Sequence, residues 1–120
     1  MRLENILLVV SDTARSKEFY HDVFGLNVIS DFGENVILSE GLVLQEQKIW
    51  EQLIESDTVI GNASELFFEE NDFEAFVLSL REKDVKQIGD VRVNAWGKRV
   101  LMLQDPDGHL IEVAEGRGSR

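Results

Sequence analysis

Hydrophobic and polar positions follow one order of elements twice along the chain. In the first half, an apolar run at residues 5–10 is followed by Asp12, a favourable helix N-cap, and by a helix-like stretch that ends at Gly25. Strand-like runs bounded by turn residues then follow at residues 27–32, 35–39 and 42–47. This order predicts a strand, a helix and three further strands.

The second half of the chain repeats this order. An apolar-rich run, Glu65–Glu70, precedes Asp72, which lies 60 residues after Asp12. The helix predicted after Asp72 has apolar residues at i, i+3, i+4 and i+7 spacing: Phe73, Phe76, Val77 and Leu80. Three more strands are predicted at residues 85–93, Arg99–Gln104 and 109–115.

A length of 120 residues is typical of one domain. We therefore interpret residues 1–120 as a single domain made of two modules, at residues 3–47 and 63–115. The join, residues 48–62, opens with the apolar spacing of a short helix.

Strand parity separates a helix-facing side of each module from a second side. Side chains alternate between two faces along a strand, and in the first and last strands one face is apolar throughout. The other face has one polar residue per strand: Asn5, Gln45, Glu65 and Glu112. Leu7, Phe67 and Leu110 share that face, and apolar walls with a few polar anchors are typical of a ligand pocket. The alternative is that this face is simply solvated.

The charge of the chain narrows the choice of partners. It has 12 Lys and Arg against 23 Asp and Glu, a formal net charge of −11. Nucleic-acid phosphates and anionic lipid surfaces attract basic residues, so we expect neither nucleic acid nor membrane as a partner. If the field recruits a ligand, it favours a cationic one; alternatively, the acidity only keeps the protein soluble.

Composition excludes some further classes. The chain has no cysteine, which excludes disulfides, thiolate metal ligands and cysteine nucleophiles. No apolar run approaches the roughly 20 residues that a membrane span needs. The first residues lack the pattern of a signal peptide, so a cytoplasmic protein is the simplest expectation.

Three motifs bear a resemblance to a known superfamily. The first is VSDTARSKEFY at residues 10–20, where Asp12 opens the first helix, and the second is ELFFEENDF at residues 65–73. The third runs from WGKR at residues 96–99 to DPDGHLIEV at residues 105–113. With the duplicated order of elements, they resemble the vicinal oxygen chelate superfamily of glyoxalases, bleomycin-resistance proteins and extradiol dioxygenases.

The resemblance implies an α+β fold in which two βαβββ modules form a curved, partly closed eight-stranded mixed sheet around a cavity. It also implies a homodimer. Enzymes of the superfamily hold one divalent metal with four side chains, from the first and last strands of each module. The matching positions are Asn5, Gln45, Glu65 and Glu112; the match of Gln45 to Glu112 depends on aligning Gly41 with Gly108.

This chain departs from the catalytic members, which usually have His at the first and third of those positions. Here Asn5 and Glu65 occupy them. Carboxylate and amide oxygens suit Mn or Mg better than softer metals, so either ion is a candidate cofactor if any metal binds.

Three functions follow as hypotheses. The leading one is a small-molecule-binding protein without a metal cofactor, for a cationic or aromatic ligand. The second is a Mn- or Mg-dependent lyase, isomerase or transferase with Glu65 and Glu112 as catalytic residues. The third is a non-catalytic interaction module. Without metal, Glu65 and Glu112 could also act as an acid–base pair if they lie close together.

The remaining candidates are side chains near the predicted pocket. Leu7, Phe67, Trp96 and Arg99 complete the predicted ligand-binding set with Asn5 and Gln45. For Arg99 the alternative is a salt bridge across the sheet, and for Trp96 and Trp50 we favour packing over ligand contact. Of the two histidines, His109 is expected to be a turn residue and His21 an exposed residue of the first helix.

Overall fold

A computed structural model describes residues 1–61 and 63–116. The chain divides into two compact units, Met1–Ile60 and Gly61–Arg120, which we refer to as unit 1 and unit 2. Asn62, the last residue of the predicted join, lies outside the described residues. The single-domain boundaries given above stay a prediction.

Unit 1 has the predicted strand, helix and three strands, followed by the predicted short helix. Its elements are β1 (Ile6–Val10), α1 (Thr13–Phe24), β2 (Val28–Asp31), β3 (Asn35–Leu38), β4 (Leu42–Glu46) and α2 (Gln47–Ile54). The strands form one mixed sheet in the order β1-β4-β3-β2, in which β1 and β4 are parallel and the other pairs antiparallel.

Unit 2 repeats the arrangement with a shorter helix. Its elements are β5 (Glu65–Glu70), α3 (Phe73–Ser79), β6 (Lys86–Val93), β7 (Arg99–Gln104) and β8 (Leu110–Glu115). The sheet order is β5-β8-β7-β6, again with the first and last strands parallel. The eight strands thus form two four-stranded mixed sheets, one per βαβββ module, and the predicted α+β class is confirmed.

Local side-chain chemistry sets the ends of the helices. The Asp12 carboxylate accepts a hydrogen bond from the Arg15 amide at 3.1 Å, and the Asp72 carboxylate accepts one from the Ala75 amide at 3.3 Å. These bonds satisfy amide groups that have no partner in the first helical turn. At the other end of α1, Gly25 has a φ of 71°, a left-handed conformation that glycine adopts without strain. The predicted caps are therefore confirmed.

One face of each sheet forms the apolar core. In unit 1, the buried residues of this face alternate along the strands: Leu8, Val10, Val36, Leu38, Leu42 and Leu44. Tyr20 of α1 is fully buried, and its ring contacts Phe19 and Phe24 at centroid distances of 5.1 and 6.1 Å. In unit 2, the corresponding buried strand residues are Leu101, Leu103, Ile111 and Val113, and Phe73 of α3 is buried as well. The helix-facing side is thus the one that strand parity predicts, which leaves the opposite side of each sheet for a site.

Gly41 precedes β4 at a point where two backbone segments lie close together. It has a φ of 77°, and a Cβ atom at this position would lie 3.2 Å from the Glu4 carbonyl oxygen. We expect Gly41→Ala to lower the free energy of unfolding by about 1–3 kcal/mol in urea denaturation. Gly33→Ala is the matched control, since Gly33 has a φ of 80° but nothing within 4 Å of the added methyl group. Equal losses for the two variants would contradict the role given to the close approach.

Ser16 lies on α1 and is fully buried, and among the described residues its hydroxyl has no hydrogen-bond partner. Ser16→Ala removes this unsatisfied group and leaves no partner unpaired. We therefore expect thermal or urea unfolding to show no loss, or a gain of up to about 1 kcal/mol. The control is Ser39→Ala, because the Ser39 hydroxyl accepts a hydrogen bond from the Asn27 amide at 3.0 Å. A loss at Ser16 as large as that at Ser39 would refute the interpretation.

Candidate functional site

The open face of the unit 2 sheet brings Glu65 and Glu112 together. Along β5, Glu65 and Phe67 are exposed, whereas the alternate positions, such as Leu66, are partly buried. Parallel pairing sets Phe67 beside Glu112 and Glu65 beside Leu110. Glu65 and Glu112 therefore share one face, as strand parity predicts.

The strand register arranges this face in three rows, each crossing the sheet from β5 to β6. The rows are Glu65, Leu110, Gln104 and Lys86; then Phe67, Glu112, Met102 and Ile88; then Glu69, Ala114, Val100 and Arg92. The middle row is apolar apart from Glu112, and the Phe67 side chain is 55% exposed. The face therefore has an accessible apolar strip with carboxylates at its β5 end.

The separation of Glu65 and Glu112 bears on how they could hold a metal ion. Glu65 and Glu112 are on neighbouring strands but two residues apart in register, so their Cα atoms are separated by about 8 Å. Among residues 1–61 and 63–116, no three His, Cys, Asp or Glu side chains are grouped so that they could hold a metal ion. Whether Asn5 or Gln45 joins the two carboxylates as an oxygen donor stays a prediction.

Gln45 is on the open face of the unit 1 sheet, but its amide is already hydrogen-bonded. Its Oε1 accepts a bond from Asn35 Nδ2 at 2.9 Å, and its Nε2 donates to the Glu34 carbonyl oxygen at 3.3 Å. The side chain is buried and is level with Asn35 across the β3–β4 pair. These contacts give Gln45 a structural role, because a buried amide that lost them would lie unsatisfied.

The strand register shows that Gln45 and Glu112 do not occupy equivalent positions in the two modules. In unit 1, Gln45 pairs with Val9 of the first strand. In unit 2, Glu112 pairs with Phe67, whose counterpart 60 residues earlier is Leu7 rather than Val9. Gln45 and Glu112 therefore differ by two positions when they are measured against the first strand of each module, although each follows its turn glycine by four residues.

The other predicted residues of unit 1 lie at its sheet edge. Asn5 is exposed and directly precedes β1, and Leu7 on β1 is 38% exposed and level with Val43 of β4. The convergence of Asn5 and Gln45 with Glu65 and Glu112 in one cavity stays a prediction.

Comparisons with known proteins agree with the order of elements and the motifs. The model of the glyoxalase-like domain family matches residues 3–117, nearly the whole chain. The chain belongs to this family. The resemblance to the vicinal oxygen chelate superfamily is thereby confirmed.

Several known proteins are similar to this glyoxalase-like chain. A protein of unknown function from Agrobacterium tumefaciens is 34% identical, with a TM-score of 0.85 over 97% of this chain and 94% of that one. A glyoxalase-related enzyme from Fulvimarina pelagi has the same fold, with a TM-score of 0.83 at 18% identity over 96% of this chain and 88% of that one. The metallothiol transferase FosB of Staphylococcus epidermidis is 26% identical over 118 residues, 95% of this chain and 83% of that protein. In the described part of the glyoxalase-like chain, no helix has the length and apolarity to cross a membrane.

Arg99 of the glyoxalase-like chain forms the salt bridge that was one of its two predicted roles. Its guanidinium Nε and Nη2 atoms donate to Glu115 Oε2 at 3.1 and 3.0 Å, and its backbone amide donates to Glu115 Oε1 at 2.8 Å. The guanidinium also lies 5.2 Å from the ring centroid of Phe73 on α3. Arg99 is thus on the opposite face of the sheet from Glu112, because the two faces alternate along β7 and β8.

The expected packing role of Trp96 is wrong. The side chain is 85% exposed in the turn between β6 and β7, where the Asn94 carboxamide oxygen accepts bonds from the Trp96 and Lys98 amides. These bonds close the turn on the Asn94 side chain and leave the indole exposed. Trp50 on α2 is partly buried.

Both histidines take their expected places. His109 lies in the turn before β8, where its backbone amide donates to Asp105 Oδ1 at 2.9 Å, and its side chain is buried. His21 is exposed on α1.

Sequence reasoning missed Glu69 as a residue of the open face. Glu69 is exposed on β5, two residues after Phe67, and is level with Ala114 of β8. The signal was present in the alternation of residues 65–70, which assigns Glu65, Phe67 and Glu69 to one side. Glu69 therefore shares the open face of the unit 2 sheet with Glu65, Phe67 and Glu112.

Glu115 links the stability of unit 2 to pH. The backbone amide of Arg99, followed by its guanidinium, holds the pKa of the Glu115 carboxyl below its usual range. A lowered folded-state pKa stabilises the fold above the unfolded pKa of about 4.3, and this stability is lost as the pH falls through the folded pKa. We therefore expect Glu115→Gln to lower the free energy of unfolding at pH 7 and to flatten its decline below pH 5, as measured by urea denaturation across pH.

A substitution of Arg99, the salt-bridge partner of Glu115, gives a graded control. Arg99→Gln removes the guanidinium bonds but keeps the backbone amide that donates to Glu115, so it should remove only part of the pH dependence. Identical acid profiles for Glu115→Gln and the unsubstituted protein would refute the linkage.

Proposed function

We propose that this glyoxalase-like protein binds a small organic molecule on the open face of the unit 2 sheet, without a His-ligated metal. The observation that supports this most is the middle row of the face. There the half-exposed side chain of Phe67 is level with Glu112, and the row continues across the sheet with Met102 and Ile88. An accessible apolar surface with a few polar groups is the usual composition of a small-molecule site.

The donor set supports binding without a metal. The family resemblance expects His at two positions that Asn5 and Glu65 occupy here, and the Gln45 amide is engaged with Asn35 and Glu34. Asn5 and Gln45 would then serve as polar contacts, and Leu7 as an apolar contact, rather than as parts of a metal centre. The formal net charge of −11 favours a cationic ligand over an anionic one. A homodimer in the cytoplasm is the expected form of the protein.

A metal-dependent lyase, isomerase or transferase is the second candidate. It is favoured by the similarity to the metallothiol transferase FosB, whose name implies a metal and a thiol substrate. In that case Glu65 and Glu112 would be catalytic residues with Mn or Mg, which accept oxygen ligands.

One preparation can separate the two candidates. The protein is purified without chelator, its metal content is measured by mass spectrometry, and a library of small organic cations, aromatics and oxoacids is screened by thermal shift. We expect far less than one divalent ion per chain, together with at least one organic ligand that raises the melting temperature. Glu65→Gln and Glu112→Gln should reduce that rise because they remove the polar contacts, whereas Glu82→Gln, at an exposed residue after α3, should not.

Other outcomes would overturn the proposal. One tightly bound divalent ion per chain, with a catalytic activity lost in Glu65→Ala and Glu112→Ala, would establish the metal-dependent enzyme instead. No ligand in the whole library and no metal would leave the interaction module as the remaining candidate.

A further inference from the structure

We infer that β6 carries a built-in block against strand pairing, which keeps the free edge of the unit 2 sheet from adding a strand of a second copy. β6 is the last strand in the order β5-β8-β7-β6, and within residues 1–61 and 63–116 no strand pairs with its outer edge. The unpaired amide and carbonyl groups of an edge strand are a template for another chain. The block concerns assembly and is independent of the proposed ligand.

β6 has the length and the exposure that favour pairing with another chain. All eight of its residues, Lys86–Val93, are exposed. Ile88, Val91 and Val93 are 41%, 38% and 68% exposed, so the strand presents apolar side chains to solvent. The outer strand of unit 1, β2, has only four residues, and a short edge strand resists addition through its length alone. β6 lacks that protection and needs another.

Two extra residues interrupt β6 in its middle. Ile88 is level with Met102 of β7, and Arg92 is level with Val100, so three residues of β6 lie opposite the single residue between them on β7. Gly89, the first of the three, has a φ of 71°, outside the range of an extended strand. A bulge bends the strand and increases its twist, so the edge does not match a straight partner strand along its whole length.

A carbonyl group of the bulge is already hydrogen-bonded. Gln87 Nε2 donates to the Gly89 carbonyl oxygen at 2.9 Å, so this acceptor is satisfied within β6 itself. A strand that used the same carbonyl would have to displace the Gln87 amide. Exchanging one hydrogen bond for another lowers the net gain from pairing.

Charged side chains flank the apolar middle of β6. Lys86 lies two residues before Ile88, and Arg92 directly follows Val91. Both cations are exposed, and in the described part of the chain neither forms an ion pair or a side-chain hydrogen bond. A second β6 would carry the same two charges, and crowding or burying unpaired charges costs free energy. The expected homodimer should therefore use a surface other than this edge.

Deletion of Gly89 and Asp90 tests the block. It removes the two extra residues and lets Val91 take the single place between Ile88 and Arg92 in the register. We expect the deletion variant to self-associate about tenfold more strongly than the unsubstituted chain in sedimentation velocity, because cross-strand pairs can then form along a regular edge. Amide hydrogen exchange should show new, concentration-dependent protection in β6. Val91→Lys in the deletion variant should reverse both effects, since it places a charge in the middle of the edge.

A second variant leaves the backbone of the bulge intact. Lys86→Gln with Arg92→Gln removes both charges and should raise the association constant by a smaller factor, about two- to fivefold. The matched control is Lys48→Gln with Arg81→Gln, which removes the same charge from exposed positions outside β6. This control should leave the association constant unchanged.

Three results would overturn the inference. They are an association constant of the deletion variant equal to that of the unsubstituted chain, new protection only outside β6, and association that Val91→Lys leaves unchanged. If the deletion variant lacks the dispersed amide spectrum of a folded protein, the charge variant decides. Association of Lys86→Gln with Arg92→Gln no stronger than that of its control would then refute the block. Ligand binding in the thermal-shift screen is a separate readout, so the proposed function stands or falls without it.

Discussion

Parallel pairing between the first and last strands of each module is the constraint on which the rest of the structure depends. The helix that follows the first strand covers one face of the sheet, and the pairing then fixes which side chains of the last strand share the opposite face. In unit 2 this sets Phe67 level with Glu112 and leaves Glu65 and Glu69 on either side. A shift of one residue would move every one of these groups to the other face, so the buried core of Ile111 and its neighbours holds the site in place.

Much of this fold follows from local chemistry that a sequence displays directly. Asp12 and Asp72 cap their helices within three residues of themselves, and Gly25 ends α1 through its own φ angle. Strand parity is equally local, because alternation needs only the neighbouring residues. These features predicted the order of elements and the shared face of Glu65 and Glu112.

The features that could not be predicted all depend on pairings between distant residues. The register of β1 on β4 decides which position is level with Gln45, and no local pattern encodes it. The choice of Arg99 between ligand and salt bridge required the position of Glu115, sixteen residues away. Trp96 was misjudged for the converse reason: its exposure follows from the backbone of a turn held by Asn94, which hydrophobicity alone does not reveal.

The two units repeat the same order of elements but differ in strand register. Gln45 pairs with Val9, whereas Glu112 pairs with Phe67, the counterpart of Leu7. The β7–β8 hairpin is therefore shifted by two residues along β5 compared with the position of the β3–β4 hairpin along β1. The two hairpins are therefore not interchangeable parts. A chimera in which β7 and β8 replace β3 and β4 would keep its inward and outward faces, since a slide by two preserves parity, yet would carry each of its side chains about 7 Å along β1. The halves of this chain thus differ in how far along the sheet they place corresponding side chains, and not only in which residues they place there.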